Sequence, residues 1–476
     1  MVAIVFPPST DPNARAQEAA GRVINAYAEK LPEGATSPYA LKRAPGLKTF
    51  TTVAALGCRG LFPIKDAVYA VYANTLFKVT LTALGAVVST IGIVPGTAPV
   101  IITANNKQPE PDIVIIHEYG ISRIERGTPD RVDLISIANL PSANSACFLD
   151  GYIVFSVSDD RLFVTGLNDL SLSALDFTTS EARSDGLVRV IAVGQLLYAF
   201  GNRSCEVYQN AGLPQGFPFA RASVIPIGLG SIFGIAGFED GFTGQVLFIG
   251  HDNRVYQLSG YDARRVSTPA LERLIEAEPD KTVFETWVYT VGSHSCFVVS
   301  CPRWTWVYDI GEAVWHERVS QGSLRWRATL SCFAFARWLV GDAKSGAIYE
   351  LDERTYTDGG DPIRMVLESG PGKAFPNRIA VPRADFDFVV GQGDADGPFY
   401  TATDPKVSVS WSNDGGQSFG TPVIRQLGGE GASRTRVTVN RTGMTGPQGR
   451  RWRVEVSDPV YCALVGADMT VAAKVR

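Results

Sequence analysis

Histidine is scarce in this 476-residue chain, which holds only His117, His251, His294 and His316. No two stand four apart, and none sits beside a cysteine at ligand spacing, so the sequence offers no zinc motif. Each lies in or beside an apolar strand-like run, which predicts structural roles. The seven cysteines, Cys58, Cys147, Cys205, Cys296, Cys301, Cys332 and Cys462, are odd in number, scattered, and form no C-x-x-C. Most fall within apolar runs, where a reduced thiol packs as a small hydrophobe, so a reducing compartment during folding is predicted. No apolar run reaches the length of a membrane span. The opening MVAIVFPPSTDPNARA lacks the basic segment and apolar core of a secretory leader. Also missing are the G-x-S-x-G nucleophile turn and the G-x-x-x-x-G-K-[ST] phosphate loop. GLGSIFG at 228–234 has only the outline of a dinucleotide loop, without the strand, helix and acidic partner that give one meaning. GDADG at 393–397 brings two carboxylates to a turn, fewer oxygens than calcium needs. A net charge of −4 supplies no global basic field for nucleic acid. No catalytic residue, cofactor or metal is therefore expected.

What the chain has in quantity is turns and short apolar strands. Its 47 glycines and 28 prolines suit an all-β protein. VGQLLYAFGNRSCEVYQN, residues 193–210, shows the unit: an apolar run, a Gly201-Asn202 turn, and a run leading back out. The same grammar turns at Ala73-Asn74, Tyr119-Gly120, Asp159-Asp160, Asp252-Asn253, Pro302-Arg303 and near Asp342. Successive turns lie roughly 40–50 residues apart, the period of a four-stranded propeller blade. One hairpin cannot bury both faces, whereas a ring of small sheets can, and it leaves few free edges. A β-propeller of six or seven blades is predicted over 51–360.

Residues 1–50 read as an arm with one short helix over Ala16–Glu29, either a strap closing the ring or a contact with a neighbouring subunit. A second helix is predicted at Pro269–Ala277, capped by Thr268. Asn210–Gly230 reads as a long Pro/Gly-rich loop, either an interaction surface or a flap over the ring. Trp304, Trp306, Trp315, Trp326 and Trp338 crowd one stretch, where filling the layers between blades is favoured over a stacking platform. Past Gly360, residues 361–476 resolve into short strands at 384–390, 406–411, 421–427, 435–440, 451–456 and 461–471. That pattern predicts a carboxyl-terminal β-sandwich-like domain. Within it Arg434, Arg436, Arg441, Arg450, Arg451 and Arg453 make the sequence locally basic. They are a candidate patch for a partner subunit or DNA, set against a solvated charged strand face. SNDGGQSF, Ser412–Phe419, fits the Asp-box pattern found in sialidases and other propellers. Asp414 and Gly415-Gly416 there suit a tight hairpin remote from any active site.

Several stretches together resemble the tail hub proteins of short-tailed bacteriophages, also called packaged-DNA-stabilisation proteins or tail accessory factors. They are RVINAYAEKLPEG, APGLKTF, GCRGLF, YAFGNRSCEVYQNAG, FPFAR, YDARRVSTPALERLI, TWVYDIGEAVWHERVS, LVGDAKSGAIYELD, WSNDGGQSFG and WRVEVSDPVYCALVGADM. They run in order along nearly the whole chain. The resemblance implies a propeller with a β-rich carboxyl-terminal part and no enzymatic activity. It also implies a homohexameric ring below the portal and its adaptor, prolonging the channel for packaged double-stranded DNA. The ring would help retain the genome and anchor a tail needle, fibres or tailspikes. Such a protein is a virion component that folds in the bacterial cytoplasm and does not insert into a membrane. A carbohydrate-binding or sialidase-like propeller is the alternative.

Overall fold

The computed structural model describes residues 1–12, 20–35, 37–125, 130–173, 175–180, 183, 185–213, 216–372, 378–390, 404–428, 432 and 434–473. Among the described residues, seven antiparallel sheets repeat one plan, in which each strand bonds to the next. Blade 1 consists of Cys58–Ile64, Ala67–Tyr72, Thr75–Thr82 and Gly85–Ile93. Blades 2 to 5 occupy 101–135, 143–179, 187–225 and 235–265, and blade 6 occupies 285–317. Blade 7 takes three strands from 328–352 and is completed by Gly46–Thr52, from near the other end of the chain. Every hairpin turn read from the sequence joins the second and third strands of one blade. The count is therefore seven.

The middle strands are apolar throughout because neighbouring blades cover both their faces. Ala67–Tyr72 and Ile113–His117 are buried at every position. The core is a series of layers between blades rather than one central mass. Val71 meets the Ile115 layer between blades 1 and 2, Val114 and Phe155 share the next, then Val154 and Leu197, then Phe200 and Phe248. Leu247, Val298 and Val340 belong to one cluster across blades 5 to 7, and Leu339 with Val68 closes the circle. Trp287, Trp306, Trp315 and Trp326 are fully buried in that largest cluster, with Trp287 and Trp326 5.2 Å apart. They fill space between blades, the role the sequence favours over an open stacking platform.

Ring closure rests on the early strand. Gly46 pairs with Asp352 and Thr52 with Ala347. At Gly46 a Cβ would lie 2.4 Å from the Thr355 carbonyl oxygen and 2.5 Å from that of Thr357, so only glycine lets the backbones approach. Of the two readings of the amino-terminal arm, the strap is the one this strand fulfils.

The helix expected over Ala16–Glu29 is absent from its described part. Arg22–Ile24 and Ala26–Lys30 are strands, separated by Asn25 at φ 53°. Ala26 and Ala28 are buried while Tyr27 and Glu29 are half-exposed, a period of two. Alanine and glutamate favour helix locally, but strand pairing overrides that weak preference. These strands join the second body of the molecule, a two-sheet sandwich built from both ends of the chain. One sheet orders Ala26–Lys30, Tyr39–Arg43, Ala463–Ala473, Ile379–Val389 and Arg434–Asn440, with Val2–Ala3 also on Ala463–Ala473. The other orders Arg22–Ile24, Met365–Glu368, Arg451–Val456, Lys406–Ser412 and Val423–Gln426. Residues read as a separate arm are thus shared between sandwich and blade 7. The sandwich is not confined to 361–476. Its second sheet runs on from blade 6, where Ile24 pairs in parallel with Glu317 and the Arg22 guanidinium bonds the Glu317 carboxylate at 3.0 and 2.6 Å.

Two further expectations meet the structure. The helix forms at Pro269–Glu276, with the Thr268 hydroxyl accepting from the Leu271 N–H and with Leu271 and Ile275 buried. The supposed long loop at Asn210–Gly230 is largely the outer part of blade 4. Its Phe219–Ile225 segment pairs with Cys205–Asn210, and Phe217 and Phe219 are buried. The prolines and glycines that suggest a loop flank this strand instead of replacing it.

Candidate interaction surface

A propeller outer strand has one edge bonded to its own blade and the other turned outward. Bare edges invite pairing with another chain, and soluble proteins blunt them with charge, twist or cover. The outer strand of blade 6 is covered by the sandwich, and that of blade 7 by the hairpin of Thr357–Asp358 and Asp361–Pro362. The outer strands of blades 4 and 5 carry Arg221 and Asp262, Arg264 and Arg265.

Blade 1 differs. Its outer strand, Gly85–Ile93, pairs with Thr75–Thr82 along one side and with no strand along the other, among the described residues. No charged residue occurs between Lys78 and Lys107. Leu81, Leu84, Val87 and Ile93 are exposed here, Leu84 fully. Leu134, on the outer strand of blade 2, is 65% exposed. The two outer strands converge at Gly92, where a Cβ would stand 3.0 Å from that of Val132. An aliphatic strip with an open hydrogen-bonding edge is a candidate surface for contact with another chain. Sequence reasoning missed it, although the charge-free run was a usable signal.

The central bore is the second feature. The inner strands of the seven blades enclose about 730 Å³, lined in part by Leu61, Ile102, Phe148, Ile191, Trp287 and Cys332. Duplex DNA, whose major groove alone is about 12 Å wide, cannot thread so small a passage.

The six candidate arginines do not form one patch. Arg450 is fully buried between Trp411 and Trp452, and it donates to Asn413 Oδ1 (3.0 Å), Thr442 Oγ1 (2.6 Å) and the Met444 carbonyl (2.9 Å). Burial without a carboxylate partner lowers its pKa to about 10, so it stays charged at neutral pH. Arg451 is buried opposite Ser412. Arg453 bonds Glu368 at 3.0 and 2.7 Å and lies over the Phe419 ring. These three hold the sandwich together. Arg434, Arg436 and Arg441 are exposed, and Arg434 is paired with Asp387.

The Asp-box segment is committed to its own turn. Asp414 accepts from the Ser412 hydroxyl at 2.6 Å and from the Ser418 N–H at 3.1 and 3.0 Å, bonds that hold its carboxyl well below the usual range. Gly415 and Gly416 have φ of 83° and 97°. It closes the hairpin between Lys406–Ser412 and Val423–Gln426 in the sandwich, outside the propeller. The GDADG segment at 393–397 lies outside the described residues.

The histidines are bound into the scaffold. His117 Nε2 meets Ser122 Oγ at 3.0 Å, and the Gly228 N–H donates to His251 Nδ1 at 3.2 Å. His294 Nδ1 meets Asp309 Oδ2 at 2.5 Å, with Glu29 3.7 Å from its other nitrogen. Burial drives the His316 pKa down to about 3. Among the described residues no three His, Cys, Asp or Glu side chains are grouped to hold a metal, and no helix is long and apolar enough to cross a membrane.

Similar solved structures include the WD40 β-propeller domain of Doa1, at 10% identity and a TM-score of 0.42, covering 65% of this chain and 97% of that one. The computationally designed Ika8 protein matches at 9% identity and a TM-score of 0.39, covering 65% and 100%. No match is found among curated proteins. Residues 22–356, from the strand Arg22–Ile24 through all seven blades, match the family model Phage_stabilise, described as bacteriophage P22 Gp10, beta-propeller. With more than half its length matched to that model, the chain belongs to this family of phage β-propeller stabilisation proteins.

Proposed function

We propose that the protein is the hub of a short phage tail, a ring-forming structural subunit that prolongs the portal–adaptor channel. In this reading six copies surround the axis, help retain packaged DNA, and carry attachment sites for a needle, fibres or tailspikes. Family membership over a closed propeller is the observation that carries the reading. Two physical features support it. The bore of one propeller is too narrow for duplex DNA, so a DNA passage needs several subunits around a common axis. The uncharged outer edge of blade 1 offers an apolar patch of the kind that a head-to-tail ring contact buries against a different face of the neighbouring subunit. Native mass spectrometry of the purified chain, alone and with its adaptor ring, tests this. A hexamer in either sample is expected; a monomer in both contradicts the reading. The Asp-box lends the sialidase-like alternative no support, since its residues are occupied by their own turn.

A further inference from the structure

We propose that the bore of the propeller binds a small amphipathic monocarboxylate, an aliphatic chain ending in one carboxylate, with Arg189 as its anchor. The enclosed space of about 730 Å³ falls within the range of small-molecule sites. Aliphatic and aromatic side chains such as Leu61, Ile102, Phe148 and Ile191 share its walls with polar groups, so it has room for an apolar body beside a polar end. Three cations line it, Lys65, Lys107 and Arg189, and of these Arg189 lies on an inner strand. Arg189 projects from the inner strand Leu187–Val193 of blade 4 and borders the cavity.

The guanidinium is held but not satisfied. Nη1 donates to the Ile232 carbonyl at 2.7 Å, and the rings of Phe233 and Phe238 stand 5.8 and 5.3 Å from its carbon. Nε is buried without a hydrogen-bond partner, and Nη2 donates to no described residue. Surrounding protein lowers its pKa to about 10, which leaves it protonated at neutral pH. A guanidinium has five donors, and here one is used.

Glu239 borders the same cavity and attracts Arg189 through space, although no direct hydrogen bond joins the two among the described residues. It accepts from the Gly237 N–H at 2.6 Å, and burial raises its pKa. Asp240 is exposed at the rim. The cations at the mouth are engaged elsewhere: Lys65 with the Pro109 carbonyl and Glu110, Lys107 with Asp112. A single fork-shaped cation matches one planar carboxylate in a bidentate pair. A phosphate dianion or nucleotide would demand more positive charge than the bore holds.

Calorimetric titration of the full chain with octanoate, and separately with 1-octanol, tests the assignment. Octanoate is expected to bind with one-to-one saturation, at least about tenfold tighter than octanol, in line with a charge-assisted bond. Arg189→Gln is expected to abolish that preference with octanol affinity unchanged. Glu239→Gln, which removes the competing carboxylate, is expected to tighten octanoate, and it carries the test if the arginine variant fails to fold. No saturable octanoate binding, equal affinity for the alcohol, or indifference to the substitutions would each overturn the assignment.

Discussion

Arg450 shows how far a basic sequence run can be from a basic surface. Three acceptors converge on its guanidinium inside the sandwich. Replacing it with methionine strands Asn413, Thr442 and the Met444 carbonyl, at about 1–3 kcal/mol for each buried group left unpaired. Chemical denaturation of Arg450→Met is predicted to show a loss of about 3 kcal/mol, while Arg441→Ala, on the surface, stays within about 0.5 kcal/mol of the parent. His294 gives a pH signature. Its bond to Asp309 raises its pKa above the ordinary value near 6.5, against the opposing effect of burial. A base whose pKa rises on folding contributes its full stabilisation below the unfolded value, and loses it as pH climbs through the folded value. Glu29 on a sandwich strand, Asp309 on blade 6 and the neutral His316 face this group. The stability gap between the parent and His294→Asn is therefore predicted to narrow as pH is raised from about 6 to about 9, and denaturation curves at several pH values read it directly.

At the scale of the element, what the sequence discloses depends on how local the cause is. Hairpins were legible because their apolar runs and turn residues adjoin, as at Ala73-Asn74 and Pro302-Arg303. The capped helix was legible for the same reason. Arg22–Ile24 was not, because its partners Met365–Glu368 and Glu317 lie some three hundred residues away and leave no trace beside it. Arg189 likewise looks ordinary until seven strands from distant parts of the chain surround it. The blade 1 edge was legible in principle, through its missing charge. Two predictions belong here. Gly46→Ala forces a Cβ into two carbonyl oxygens at the ring closure, and thermal denaturation should record a destabilisation of about 2–4 kcal/mol. Val87→Lys, on the open edge of blade 1, should leave the melting temperature nearly unchanged yet reduce assembly into rings, as followed by sedimentation velocity. Unimpaired assembly in that variant would mean the ring contact lies elsewhere.

For the whole molecule, the two ends of the chain act as fasteners. The amino-terminal strands complete blade 7, continue the sheet of blade 6, and build the sandwich with the carboxyl-terminal strands, so propeller and sandwich share hydrogen-bonded sheets. A body fastened this way transmits load without a hinge between its parts, which suits the proposed role in holding back a packed genome. Its apolar outer edge, and the narrow bore of one propeller among the described residues, support the proposal that the working unit is an assembly. Electron cryomicroscopy of the intact phage particle tests that claim most directly. The account predicts six copies of this propeller–sandwich body forming a ring on the tail axis below the portal and adaptor, with the DNA path along the ring's centre. A particle whose tail contains no density for this chain, or contains it as a single off-axis copy, would contradict the account.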